Sequence, residues 1–446
     1  MASRASARTY PLYEGEFALT GDEARPYRGY VKFTWNPKPR MIAAGERNVS
    51  TVDDILGRAE SSERWVRKGD VRIANANPLP VPPAAAEEVW SNGTGTSYME
   101  DTIATPDVGA GDAIDRITFL LPNGWKSLDG GNIRDGSRPW LWRRGRLEID
   151  SGAWKVTIDP RPGLSSAFWK ELKASGSSAV THIGEIRRSD GSTFAAIEAE
   201  SIMNVTRLAI GFAIGRATQC LLPVGWRGDV AVWTRWHTGG IDRMQSVQSI
   251  LDETEAVEQL QKILIGAFNF AIDDYTEEIL QYSISYYLSA NYDVNVEIAV
   301  ALAISGLQML SYYKLMEERK AYSNTAWKNM STYDQIKAYL TSFSVDLTIP
   351  STLSYLVDVQ TALGPRDGSQ RDGLQCVIDM RNSVIHPTRE KPARWTSYQW
   401  AEASHLALDY LRFAILDLLG YSGGARTAAQ QEKWVGSLTP MPWDQP

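Results

Sequence analysis

Near residue 250 the spacing of apolar residues changes from a period of two to one of about 3.6, and this change constrains the chain more than any other feature. Before it, short β-branched and aromatic runs alternate with Gly, Pro, Asn and Asp: Tyr30-VKFTW, Ile117-TFLL, Trp154-KVTI, Phe194-AAIEA and Asp229-VAVWTRW. Runs of that length bounded by turn formers read as strands, and many of them together read as a β-sandwich or barrel-like region. After it, Leu260, Ile263, Leu264, Ala267, Phe268, Ala271 and Ile272 recur at helical spacing within 254–290. Further helices are expected from about Asp293 to Arg319, over 332–346 and 351–363, and from Ser397 to Leu419 with Gly420 closing the last. The expected fold is therefore α+β and multidomain: a β-rich region over 1–250 followed by an all-α bundle of roughly five helices over 251–446. The proline stretch Pro78-LPVPP must be extended, and it offers a division of the first half near 78–90.

The 446 residues leave room for two or three domains, at about 100–200 residues each. Two cysteines, Cys220 and Cys376, supply neither a disulfide framework nor a Cys-rich zinc module. The N-terminal MASRASARTYPLYEGEF lacks the apolar core of a secretory signal. Val294–Leu310 is interrupted by Asn295, Glu297 and Gln308, which favours a buried helix over a membrane span. A cytoplasmic protein without a membrane partner is the expectation. The net charge of −7 divides into +2 over residues 1–250 (31 Lys+Arg, 29 Asp+Glu) and −9 over 251–446 (15 against 24). A nucleic-acid site must then be a local patch rather than a global field.

No phosphate-binding G-x-x-x-x-G-K-[ST], no H-E-x-x-H and no G-x-S-x-G occurs, and Gly109-Ala-Gly111 lacks a third glycine. The four histidines can each be weighed alone. His182 and His405 read as structural, on a strand and inside the last helix. His237 follows Arg235 by two residues, which leaves a sheet-edge role and a binding role open. His386 stands apart, in Asp379-Met-Arg381-Asn382-Ser-Val-Ile-His386-Pro387. Five residues turn an ideal helix through 500°, so Arg381 and His386 start about 140° apart, while Pro387 pushes His386 out of the α region. Two readings follow: a histidine pinned at a helix end, or an imidazole presented to a groove. Six basic residues (Arg366, Arg371, Arg381, Arg389, Lys391, Arg394) face four acidic ones over 366–394, a cationic island in an acidic half. In the first half, Arg138-Pro-Trp140-Leu-Trp142-Arg143-Arg144-Gly-Arg146 is either a stacking platform or a half-buried strand with a charged rim.

Arg381-Asn-Ser-Val-Ile-His386 resembles the R-x4-6-H motif of HEPN domains, with a polar residue directly after the arginine. The R-N-x-x-x-H-P core, the long helix after it, the turn Gly420-Tyr421-Ser422-Gly423 and the tail from Trp434 to Trp443 are similar to the Apea-type HEPN proteins of bacterial anti-phage defence, over about 255–445. The chain departs from that pattern at Ala425-Arg426, which keeps only the arginine, and at Gln308 where an acidic residue is usual. The resemblance implies a HEPN helical bundle and metal-independent RNA cleavage, with no cofactor. Its site would comprise catalytic Arg381, His386 and Asn382, supported by Glu297 and Asp379, with Arg371, Arg389, Lys391 and Arg394 on the RNA. It also implies a homodimer, RNA substrates with tRNA among the candidates, and a β-rich region that answers a phage-derived trigger. Two alternatives remain: a non-catalytic dimerisation or RNA-binding module, or a ligand-recognition protein built on the 16 tryptophans with a structural helical half.

Overall fold

The computed structural model describes residues 9–19, 27–34, 40–48, 66–73, 83–90, 96–102, 107–109, 111–126, 130–134, 142–162, 164–235, 239–245, 247–292, 294–386, 395–427, 434 and 436–444. They form a mixed structure, with sheets in the N-terminal half and helices in the C-terminal half. Two compact units emerge: 1–124 with 152–200 and 218–245, and 125–151 with 201–217 and 246–446. The last of these boundaries falls between Gln245 and Ser246, and two earlier segments also cluster with the helical unit.

In the first unit, β1 (Thr9–Leu19), β2 (Tyr27–Thr34), β3 (Arg40–Asn48), β4 (Val66–Ile73), β5 (Pro83–Trp90) and β6 (Thr96–Thr102) close into a barrel in the order β1-β2-β3-β6-β5-β4. On β2, Tyr27, Val31 and Phe33 are buried, the alternation that a strand with one inner face requires. Gly29 lies opposite Gly45, and a Cβ on it would sit 2.0 Å from the Ala44 carbonyl oxygen, so only glycine permits this approach. Pro78-LPVPP falls outside the described residues apart from Pro83, which opens β5.

The same unit continues with β7 (Asp107–Gly109) and β8 (Arg116–Pro122); β9 (Gly131–Arg134) and β10 (Trp142–Asp150) belong to the second unit and pair there with each other. Next come β11 (Trp154–Pro160), helix α1 (Ser166–Ala174), β12 (Val180–Arg188), helix α2 (Glu198–Ile214), which clusters with the second unit from Ser201 on, and then β13 (Leu221–Arg227) and β14 (Val230–Arg235) of the first. Within the first unit the antiparallel strands run in the order β7-β14-β13-β8-β12-β11. Asn123 ties the end of β8 to its surroundings. Its amide donates to Ser178 Oγ at 3.0 Å and to the Asp242 carbonyl at 2.7 Å, and its Oδ1 accepts from Ala179 N.

This half is β-rich as expected, with two helices in it, one of them where Phe194-AAIEA was read as a strand. Phe194 makes only an isolated bridge to Ile114, and the chain then enters α2. Residues 198–214 carry apolar residues over a stretch too long for a strand, and Glu198 and Glu200 suit the positive end of a helix dipole.

In the second unit, α3 (Ala256–Phe270), α4 (Asp274–Asn291), α5 (Val296–Tyr312), α6 (Asn324–Asn329), α7 (Thr332–Thr341), α8 (Ser354–Leu363), α9 (Gly373–Ile385) and α10 (Ser397–Leu418) follow in order. A bundle of roughly five helices was too few. The single helix expected over 254–290 is two, because Asp273 and Thr276 form a capping box that starts α4 afresh. The helix expected from Asp293 begins at Val296 and passes into a π-helical turn at Tyr313–Glu318; Asp293 lies outside the described residues. Val296–Glu318 is long and apolar enough to cross a membrane, but half of that stretch is buried, and α5 packs against α4, α7, α9 and α10 as a core helix. Thr396 and Gln399 form the capping box of α10, which ends at Gly420 with a left-handed φ of 59°.

Candidate functional site

Helix α9 carries Asp379, Arg381 and Asn382, and is fixed at its start. The carboxylate of Asp372 accepts from Gln375 N at 2.8 Å as the N-cap, and its other oxygen accepts from Tyr333 Oη at 2.6 Å. Leu374, Cys376, Val377, Ile378 and Met380 bury one face, so the helix cannot rotate without exposing its core side. The helix ends at Ile385 because Pro387 disfavours α geometry at the residue before it, and His386 sits as the C-cap with φ −123° and ψ 63°. His386 is exposed, its backbone N–H donates to the Asn382 carbonyl at 2.9 Å, and among the described residues its ring makes no hydrogen bond.

Arg381 is half-buried. Its Nη1 donates to Asn382 Oδ1 at 3.1 Å, its buried Nε has no protein acceptor, and no carboxylate pairs with it among the described residues. Burial lowers its pKa from the usual arginine value without discharging it at neutral pH. Asn382 therefore orients Arg381 through its side chain and helps hold the backbone of His386 through its carbonyl. The structure places the arginine and histidine at one helix end without joining them directly.

The remaining expected site residues divide. Arg371 donates through Nε to Asp379 Oδ2 at 2.8 Å and through Nη1 to the carbonyls of Leu363 and Gly364, so it clamps the α8–α9 connection. Asp379 also accepts from Gln375 Nε2 at 2.9 Å and lies 3.8 Å from Arg366 Nη1. These contacts make Arg371 and Asp379 a structural pair and leave little of either for RNA or for His386. Glu297 lies half-buried in the first turn of α5 and pairs with neither Arg381 nor His386. Arg389, Lys391 and Arg394 fall outside the described residues. With Arg366 and Arg371 turned toward Asp379, the described part of the cationic island reduces to Arg381.

Other candidates resolve similarly. His182 is fully buried, its Nδ1 hydrogen-bonded to Thr181 Oγ1 at 2.9 Å, and burial holds its pKa down to about 3. His237 and Trp140 lie outside the described residues. On β10, Leu147 and Ile149 are buried while Arg146, Glu148 and Asp150 alternate with them on a side of mixed charge, and a register shift between Arg144 and Arg146 interrupts the alternation that would put both arginines on one face. Among the described residues no three His, Cys, Asp or Glu side chains gather as a metal site requires.

Sequence reasoning missed a buried polar hub in α10. Arg412 donates through Nη1 to Asp409 Oδ1 at 2.7 Å and to the Arg426 carbonyl at 2.7 Å, and through Nη2 to Tyr287 Oη at 3.2 Å and Gln248 Oε1 at 3.3 Å. It borders a cavity of about 350 Å³ with His405, Arg426 and Trp434. An arginine with Leu408, Leu411 and Ile415 around it on the helix was the available signal.

Comparison with known proteins overturns the HEPN resemblance. Residues 109–247 match the YopA central domain and residues 273–439 match the YopA C-terminal domain, and no HEPN family matches. An arginine and a histidine five residues apart before a proline can arise at any polar helix end, which is why so short a pattern misleads. The chain is 23% identical over 443 residues to the "SPbeta prophage-derived uncharacterized protein YopA" of Bacillus subtilis (strain 168), covering 97% of this chain and 94% of that protein. No solved structure matches the chain. In its central and its C-terminal parts, and in that order, the chain is similar to YopA, a prophage protein family.

Proposed function

We propose that the chain is an RNA-cleaving enzyme whose working groups are Arg381 and His386 at the end of α9. The observation that carries this reading is the half-buried Arg381, a guanidinium held by Asn382 with no carboxylate against it among the described residues. Arg371 and Arg412 of the same unit are both neutralised by aspartates. An arginine kept partly desolvated without an anion is suited to receive one, and a phosphodiester fits its planar donors. The exposed imidazole five residues on supplies a group that can take and give a proton.

The chemistry needs no metal. An imidazole nitrogen takes the proton of a ribose 2′-hydroxyl as that oxygen bonds to the adjacent phosphorus. The P–O5′ bond breaks, the leaving oxygen receives a proton, and a 2′,3′-cyclic phosphate and a 5′-hydroxyl result. Arg381 stabilises the charge on the phosphoryl oxygens. Isologous pairing of two copies would bring two imidazoles to one cleft, so that one accepts while the other donates. The relative is prophage-derived by name, and we extend that setting to a cytoplasmic effector used in conflict between phage and host, controlled by the β-rich half.

The test is incubation of the full chain with end-labelled RNA in excess chelator. Wild type is expected to leave 2′,3′-cyclic phosphate ends, with rates reduced about 100-fold or more in Arg381→Ala and His386→Ala at unchanged melting temperature. Intact RNA with wild type, or equal cleavage by all three, overturns the proposal.

A further inference from the structure

We infer that the stacked pair Tyr355–Tyr398 is a base-stacking platform for single-stranded RNA, set at the same end of the α8–α9–α10 layer as Arg381 and His386. The inference rests on the reading of Arg381 as a phosphate-binding group and adds a substrate class to it.

Chain direction puts the four residues at one end. Arg371, just before α9, donates to the carbonyls at the C-terminal end of α8, and α8 and α9 pack against each other, the arrangement of antiparallel neighbours joined by a short connection. At 1.5 Å per residue, Tyr355 lies about 12 Å back along α8 from Leu363, while Arg381 lies about 15 Å beyond Arg371. On the other side, a Cβ on Gly373 would meet Leu406 Cδ2 at 2.7 Å and Tyr410 Oη at 3.1 Å, so the start of α9 lies beside the middle of α10. Eight residues from 406 back to 398, and eight from 373 on to 381, cover the same distance of about 12 Å in the same direction. Tyr355, Tyr398 and Arg381 thus share one level of the layer.

The tyrosines are exposed yet ordered. Their ring centroids are 5.1 Å apart with planes at 17°, and Tyr355 and Tyr398 retain 44% and 64% of their surface. Helix α8 has Leu353 at its N-cap, which has no side-chain acceptor, and Glu402 of α10 replaces it by accepting from Leu356 N at 2.8 Å. The Thr396 capping box fixes the first turn of α10, where Tyr398 sits.

Two aromatic rings already stacked, with outer faces open, accept a further planar ring at little cost in conformational entropy. A nucleobase offers that ring, its own strand offers the phosphate that Arg381 lacks, and duplex bases are not free to stack in this way. A peptide or a second copy could meet the rings with an aromatic side chain and the guanidinium with a carboxylate, and the oligomeric-state measurement below separates that outcome from RNA.

Binding of a fluorescein-labelled 2′-O-methyl oligouridylate, which cannot be cleaved through its 2′-oxygen, tests the inference by anisotropy with the full chain. Tyr398→Ala is expected to weaken binding about 5- to 150-fold, the range for loss of one base stack. Tyr398→Phe is expected to stay within about twofold, and a duplex of matched length to bind no differently to the two variants. Equal affinity of wild type, Tyr398→Ala and Tyr355→Ala overturns the platform even if RNA cleavage still depends on Arg381. A change in oligomeric state with unchanged RNA affinity also overturns it and marks the pair as a contact between copies. Loss of binding in Tyr398→Ala with no cleavage by wild type keeps the platform and removes only the catalytic proposal.

Discussion

Arg412 and Asp409 form an ion pair of 2.7 Å within one turn of α10, with side-chain exposures of 1% and 3%. Removing one partner strands the other charge in the interior, whereas replacing both with apolar groups removes the desolvation cost on each side. Asp409→Ala is therefore expected to lower stability by about 3–5 kcal/mol in urea unfolding. The double change Asp409→Leu with Arg412→Leu should recover a large part of that loss. A loss below about 0.5 kcal/mol in the single variant would show that the pair does not carry its own burial.

His182 predicts an acid-sensitive first unit. Its folded pKa is lowered to about 3 from 6.5 by burial, so its contribution is fully present above about pH 6.5 and is lost as pH falls toward 3. The stability of wild type relative to His182→Asn should fall by up to about 1.4 kcal/mol per pH unit across that window. A constant difference between pH 7 and pH 4 would refute it.

Asp252 makes a parallel prediction for the C-terminal tail. Burial acts to raise its pKa, but hydrogen bonds from Thr254, Gly436 N and Arg426 outweigh this and hold it below the usual aspartate value of 3.8. Its stabilisation is present above about pH 4 and is lost as pH drops through the depressed folded value. Asp252→Asn should cost about 1–3 kcal/mol at pH 7, a penalty that shrinks below pH 4. The readout is the pH dependence of the urea midpoint in both proteins, and a penalty unchanged at pH 3 would exclude it.

At the candidate site, Arg381→Lys keeps the charge but not the planar donor pair, and about a tenfold loss of RNA cleavage is expected against the larger loss for alanine. Asn382→Ala releases Nη1 of Arg381 and should fall between wild type and Arg381→Ala in kcat with melting temperature unchanged. Full activity in Asn382→Ala would remove its positioning role.

The change of hydrophobic period near residue 250 was enough to separate a strand-rich half from a helical one, and Gly420 was legible as a helix stop. Less legible was where a long helical pattern breaks. The residues of 254–290 keep one periodicity through Ala271 and Ile272, and only the Asp273–Thr276 capping box divides it. Helix α2 was hidden because alanine and isoleucine after Phe194 suit strand and helix alike over a short window. The six-residue pattern ending at His386 was visible, but its family meaning was not: two reactive side chains and a proline are too few to identify a lineage.

By itself the sequence determined local matters: that a helix must stop before Pro387, that Gly420 can close one, and that Cys220 and Cys376 supply no disulfide framework. Tertiary structure alone decided which charges are spent. Arg371, Arg381 and Arg412 are the same residue type on neighbouring stretches, yet Arg371 clamps a loop, Arg412 is buried in an ion pair and Arg381 meets no carboxylate among the described residues. Periodicity reports which face of an element is apolar. The partner of a guanidinium depends on residues distant in the chain, and only the packed helices bring those within hydrogen-bond reach.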